Sequence, residues 1–242
     1  MNKFKKHLLG LFILAISIIA ILGSSPTTIG TVTLTPPEDD IVVKSSLKQY
    51  LKNTNNPTIV LRVPTQTNAK VLEENKYSKN NIYNTIEKEF VKEGFIVRDR
   101  AIYNKILDDK TIADYSSIKE LTNTDLIFEI AIEEKVFNTN KYKDKKNREQ
   151  TATSNISNIG LKIEYKFIFV KDNALVGYYT YYVTPCTNGC DYRFDGNGNL
   201  AKQQNTNVRI NEPSKPYEFV SVDLLENIVK KYTKKLIDEM KK

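Results

Sequence analysis

DLIFEIAIEEKVF (residues 125–137) and LKIEYKFIFVK (residues 161–171) are the stretches on which the fold turns. In the first, Leu126, Phe128, Ile130 and Ile132 alternate with Ile127, Glu129, Ala131 and Glu133. In the second, Leu161, Ile163, Tyr165, Phe167 and Phe169 alternate with Lys162, Glu164 and Lys166. A period of two puts one set on each face of a strand, so both read as half-buried β-strands. Paired as an antiparallel hairpin, they set the acids of the first beside the lysines of the second, worth about a few tenths of a kcal/mol per pair. The segment between them, Asn138 to Asn158, carries Lys141, Lys143, Lys145, Lys146 and Arg148 among polar residues and reads as a mobile hairpin loop. Asp172-Asn173 turns the chain into a further strand, Leu175 to Thr184.

Upstream of this hairpin, helices alternate with strands. Thr58 to Val63 is a β-rich run closed by Pro64. Ser78 can cap a helix running to Glu93, with Ile82, Ile86 and Phe90 in one stripe beside Tyr83. Gly94 is placed to end that helix in a left-handed conformation, and Phe95 to Val97 is the next strand. Asp99 can cap a short helix holding Ile102, Ile106 and Leu107, and a second covers Tyr115 to Leu121. The chain closes on a helix capped by Ser221, striped by Leu224, Leu225, Ile228, Val229, Tyr232, Leu236 and Met240. The order from residue 57 to 242 is β-α-β-α-α-β-β-β-α. Helical connections suit parallel strands and short ones suit antiparallel strands. The expectation is one α+β domain, a mixed sheet with helices packed on it and one exposed face.

Residues 1–23 are different. Lys3, Lys5 and Lys6 precede an apolar run from Leu8 to Leu22, and Gly23-Ser24-Ser25-Pro26 breaks it. A basic head, an apolar stretch and a small-residue end describe a secretory signal, with an uncleaved N-terminal anchor as the other reading. The run is shorter than the roughly 20 residues of a usual spanning helix. Ile21-Leu22-Gly23 resembles the start of a bacterial lipoprotein processing site, but Ser24 stands where a lipid-accepting Cys would be. Either reading implies a periplasmic or extracellular domain. Residues 24–56 read as a tether, Thr-, Pro- and acid-rich to Asp40, with a short helix over Ile41 to Lys52.

Of the net charge of +7, the three leader lysines supply part; without them 33 basic residues stand against 29 acidic ones, leaving +4. That balance is too weak and too dispersed for nucleic acid. The only histidine, His7, lies in the leader, so the domain has no imidazole for acid–base work or metal ligation. No Gly-rich phosphate loop is present. The expectation is a non-enzyme with no cofactor and no bound metal.

The stretch from Asn80 to Glu134 carries a resemblance. A helix ends in a hydrophobic residue, Gly-Phe-Ile-Val-Arg-Asp-Arg follows, then a helix with Tyr103-Asn104-Lys105-Ile106-Leu107, then Thr124-Asp125-Leu126-Ile127-Phe128-Glu129 opening a long strand. This resembles the envelope superfamily of the curli-secretion lipoprotein and the penicillin-binding-protein activator lipoproteins. The resemblance implies a non-enzymatic module that scaffolds or regulates envelope machinery, its partner an envelope protein or a cell-wall component. The missing lipid-accepting Cys departs from the family. Residues 138–158 also lack the alternating lipid-facing pattern of a membrane barrel, which favours a binding module over an oligomeric secretion channel. A small carboxylate-dependent envelope enzyme is the third reading.

Each candidate site carries two readings. Glu129 and Glu133 share one strand face, as a solvated surface or as a carboxylate pair. Arg98-Asp99-Arg100 is a helix cap flanked by charge, or an anion contact at a helix start. Asp195-Gly196-Asn197-Gly198-Asn199 is an Asn-Gly turn, or an imperfect calcium loop. Tyr178, Tyr179, Tyr181 and Tyr182 put phenols on both faces of a strand, one set to cover helices and the other to offer aromatic surface to a protein or glycan. Cys186 and Cys190, the only cysteines, flank the turn-forming Thr187-Asn188-Gly189 and are expected to form a disulfide in an oxidising compartment.

Overall fold

The computed structural model describes residues 27–62, 76–101, 122–201 and 222–242. In chain order the elements are β1 (Thr28–Val32), β2 (Asp40–Val43), α1 (Ser45–Asn53), β3 (Thr58–Arg62), α2 (Lys76–Lys92), β4 (Ile96–Arg98), β5 (Leu126–Lys143), β6 (Glu149–Phe169), β7 (Ala174–Val183), β8 (Cys190–Phe194) and α3 (Val222–Lys241). The α+β class with a mixed sheet is as expected. The helices expected over 102–107 and 115–121, and Ser221 as a cap, lie outside the described residues. Helix α2 begins two residues before Ser78.

The described residues pack as two compact units. Of the described residues, one unit draws on 34–62, 76–101, 122–137, 157–187 and 222–242, the other on 27–33, 138–156 and 188–201. In the larger unit the strands run β2-β7-β6-β5-β3-β4. Strand β3 pairs parallel with β4 and β5, as its helical connections require. Strand β7 pairs antiparallel with β2 and β6. The inner face presents Ile59, Leu61, Phe128, Ile130, Ile163, Phe167 and their neighbours to a single core. Helix α1 adds Leu47, α2 adds Ile82, Ile86 and Phe90, and α3 adds Val229, Leu236 and Met240. Helix α2 ends as expected on Gly94, at φ 88°. The Gly94 N–H donates to Val91 and the Phe95 N–H to Phe90, both at 3.1 Å. The rings of Phe90 and Phe95 meet edge to face at 5.1 Å, which closes the hydrophobic side of this helix stop.

In the smaller unit, β1 pairs antiparallel with β8 from Thr28↔Phe194 to Val32↔Cys190, and with β5 at Thr31↔Lys143. Its core is Val32, Tyr142, Ala152, Ile156, Tyr192 and Phe194. Gly30 lets the Tyr142 ring lie over the strand, where an added Cβ would stand 2.3 Å from it. Tyr142 and Phe194 stack at 3.7 Å, 9° from parallel.

Two expectations are corrected here. In the segment 24–56 the expected short helix is found as α1, but the described residues before it form β1 and β2 where a tether was expected. These short strands are completed by β7 and β8, far along the chain, so local composition gave no sign of them. Residues 138–158 are not a mobile loop but the continuation of β5 and β6, closed by a tight turn at Asp144–Arg148. Their apolar residues are sparse because only Tyr142, Ala152 and Ile156 are needed to meet β1 and β8.

Candidate partner-binding face

Strand β7 divides its tyrosines between two faces. Tyr179 and Tyr181 point inward and are fully buried. With Tyr165 and Tyr232 they form one aromatic cluster, Tyr181 stacking on Tyr232 at 4.1 Å. The hydroxyls of Tyr165 and Tyr181 lie 2.7 Å apart, and that of Tyr165 reaches Thr233 Oγ1 at 3.4 Å. Tyr179 donates to Asp39 Oδ2 at 3.0 Å, and Lys235 Nζ donates to the same oxygen at 2.7 Å. Burial pushes the Tyr165 phenol up to about 12 and holds Tyr181 well above the usual tyrosine range. Tyr179 is raised by burial and then by its hydrogen bond to the Asp39 carboxylate. These phenols are part of the core.

The outer face carries Tyr178 and Tyr182, both half-buried. In register with them on β6 stand Lys166 and Lys162, with Glu164 opposite Thr180. Thr180 donates to the Tyr178 hydroxyl at 2.5 Å, Tyr178 donates to Glu164, and Lys162 meets Glu164 at 3.0 Å. Burial pulls the Glu164 carboxyl up, but these hydrogen bonds outweigh it and hold it below the usual glutamate range. Phe137 covers Gly160 and meets Tyr182 edge to face at 6.2 Å. The expected carboxylates are engaged differently. Arg62 of β3 pairs with Glu129 at 2.6 Å, where a lysine of β6 was expected. Glu133 adds attraction at Lys162, whose ammonium is raised chiefly by its hydrogen bond to Glu164.

This face is not bare, because Val60, Ile127 and Val170 are buried on it with Ile168 against them. Towards the β2 edge it becomes apolar. Val42, opposite Tyr178, is 52% exposed, and Leu175, opposite Ile168, is 44% exposed. Sequence reasoning missed both. Val42 lies in the segment read as a tether with a short helix, and Leu175 is brought to this face by a bulge, the register shifting between Phe167 and Ile168.

The remaining candidates are local. Asp99 Oδ1 accepts from the Ala101 N–H at 2.7 Å, a helix cap. Arg100 turns back onto α2, meeting Asn84 Oδ1 at 2.8 Å, Glu87 at 3.5 Å and the Tyr83 ring at 5.4 Å. Arg98 is half-buried, one strand residue from that cap. Asp195 Oδ1 accepts the N–H groups of Asn197 and Asn199, both at 2.9 Å, with Gly198 at φ 80°. That carboxylate shapes its own turn. Cys186 and Cys190 are disulfide-bonded, with Gly189 at φ 91° in the turn between them.

No protein-family model matches the chain, and neither does any curated protein. Solved structures similar to it include a PelC dodecamer from Paraburkholderia phytofirmans, at 10% identity and a TM-score of 0.36, covering 84% of this chain and 98% of that one. Lipoprotein GNA1162 from Neisseria meningitidis aligns at 7% identity and 0.34, over 75% and 99%. A putative neuraminyllactose-binding hemagglutinin homolog from Helicobacter pylori aligns at 10% and 0.38, over 78% and 94%. All three likenesses are remote.

Proposed function

We propose that this chain is an exported, non-enzymatic module that binds an envelope protein through the outer face of β2, β7 and β6. The observation that carries the reading is exposed Val42 on an edge strand opposite Tyr178, with exposed Leu175 on the same face opposite Ile168. Apolar side chains adjoining a half-buried tyrosine, with charges already paired around them, have the make-up of a protein contact with a polar rim. Strand β2 ends the sheet order of its unit and offers backbone groups as well. The leader and the disulfide support export.

A photo-crosslinking residue placed at Val42 or Leu175 of the exported full chain tests this. The expected result is one discrete adduct with a second protein, abolished by Val42→Glu on the Leu175 probe. A ladder of self-adducts would favour the oligomeric channel instead. No adduct from either position would overturn the proposal.

A further inference from the structure

Strand β1 begins at Thr28, and its register sets the direction in which its own first residues run. Thr31 stands opposite Lys143, the last residue of β5, in an antiparallel pair. Residues before Thr31 therefore run past the end of β5 towards the Asp144–Arg148 turn. Thr28 lies three residues further on, about 10 Å at the usual strand rise. Only residues 23–27 separate Thr28 from the end of the apolar run at Leu22. Even fully extended, that connection spans about 20 Å. Covalent geometry thus keeps the end of the apolar run within about 20 Å of Thr28.

The tip is basic and held in shape. Asp144 Oδ1 accepts the N–H groups of Lys146 at 2.8 Å and Arg148 at 3.0 Å, and Asn147 sits at φ 60°. Arg148 pairs with Asp144 at 2.7 Å, and Lys141 with Glu149 at 2.8 Å, so these four charges cancel. The nearby acids of β8 and its turn are also engaged, Asp191 by the Thr31 hydroxyl and Asp195 by its own turn. Lys143, Lys145 and Lys146 are left exposed, and Lys145 and Lys146 have no ion pair among the described residues.

We propose that this hairpin tip docks on the anionic headgroups of the membrane that receives residues 1–23, so that the smaller unit meets the bilayer with Lys143, Lys145 and Lys146. This rests on the reading of the leader as a retained anchor. Lysines within a Debye length of anionic lipid are attracted to it, and the short connection keeps them near.

Lysine acetylation of the full chain, read residue by residue by mass spectrometry, tests the contact. Two vesicle types are used, neutral phosphatidylcholine and the same lipid with roughly a third phosphatidylglycerol. Labelling of Lys143, Lys145 and Lys146 is expected to fall about five-fold on the anionic vesicles and to recover in high salt. Lys230 and Lys234, exposed on α3, should label equally on both. Equal labelling of the tip on the two vesicle types overturns the proposal. So does protection by a soluble polyphosphate with none on vesicles. Sedimentation separates the premise: a chain that fails to sediment with neutral vesicles loses the anchor reading, and the footprint on anionic vesicles still decides the contact.

Discussion

Gly160 and Gly94 are glycines for opposite reasons. At Gly160 a Cβ would stand 2.3 Å from the Val183 carbonyl and 2.8 Å from the Phe137 ring. At Gly94 nothing lies within 4 Å, but φ is 88°. The first position forbids bulk and the second forbids a backbone conformation. Gly160→Ala is expected to cost about 2–3 kcal/mol, the range of overpacking. Gly94→Ala is expected to cost about 1 kcal/mol, the left-handed penalty alone. Urea midpoints at equal slope measure both, and a reversed order would contradict this assignment. The Cys186–Cys190 ring is small, so its chain-entropy contribution is about 2 kcal/mol. Replacing both cysteines by alanine should lower the urea midpoint to that extent and leave the far-ultraviolet spectrum unchanged.

Strand β7 makes a pH prediction through its inner face. Tyr165 is pushed up to about 12, and Tyr181 and Tyr179 are held well above the usual tyrosine range, chiefly by burial. Unfolded tyrosine titrates near 10. Between those values the unfolded chain releases protons that the folded chain keeps, so stability is full below about 10 and is lost as pH rises towards 12. Tyrosinate absorbance should therefore rise together with unfolding, in one cooperative step above about pH 10. Gradual ionisation of a folded protein would contradict the buried cluster. The β5–β6 turn titrates at the other end. The N–H and guanidinium of Arg148 hold the Asp144 carboxyl down to about 2. Its contribution is present above the unfolded value of about 3.9 and is lost as pH falls through about 2. The Lys146 and Arg148 amide resonances should lose their hydrogen-bonded shifts over that interval, while the core amides of Phe128 and Ile163 keep theirs.

Across the molecule, the sequence was most legible where a pattern closes on itself locally. The alternation in 125–137 and 161–171, the stripe of α2 with its Gly94 stop, and the Cys186–Cys190 turn each carry their own evidence, and each is found in place. Strands β1, β2 and β8 were not legible, because they hold four or five residues each without a local pattern and owe their conformation to distant partners. The half of the hairpin they cover looked like a solvated loop for the same reason. On β7 the period of two divided the tyrosines correctly, but which face was core depended on α3 and Asp39. One of those distant pairings bears on the order of assembly. Strand β1 and its ladder partner β8 are far apart in the chain, Thr31 and Asp191 being 160 residues from each other. Closing so long a loop is slow, since its entropy is lost before any contact repays it. In pulse-labelled refolding the amides of Gly30 and Thr31 should gain protection after those of Ile59 and Leu61. Until β8 arrives, β1 has only its single pairing with β5, and at high concentration the β8 of another copy can take the open place beside it, so crowded refolding should yield dimers that have exchanged β1.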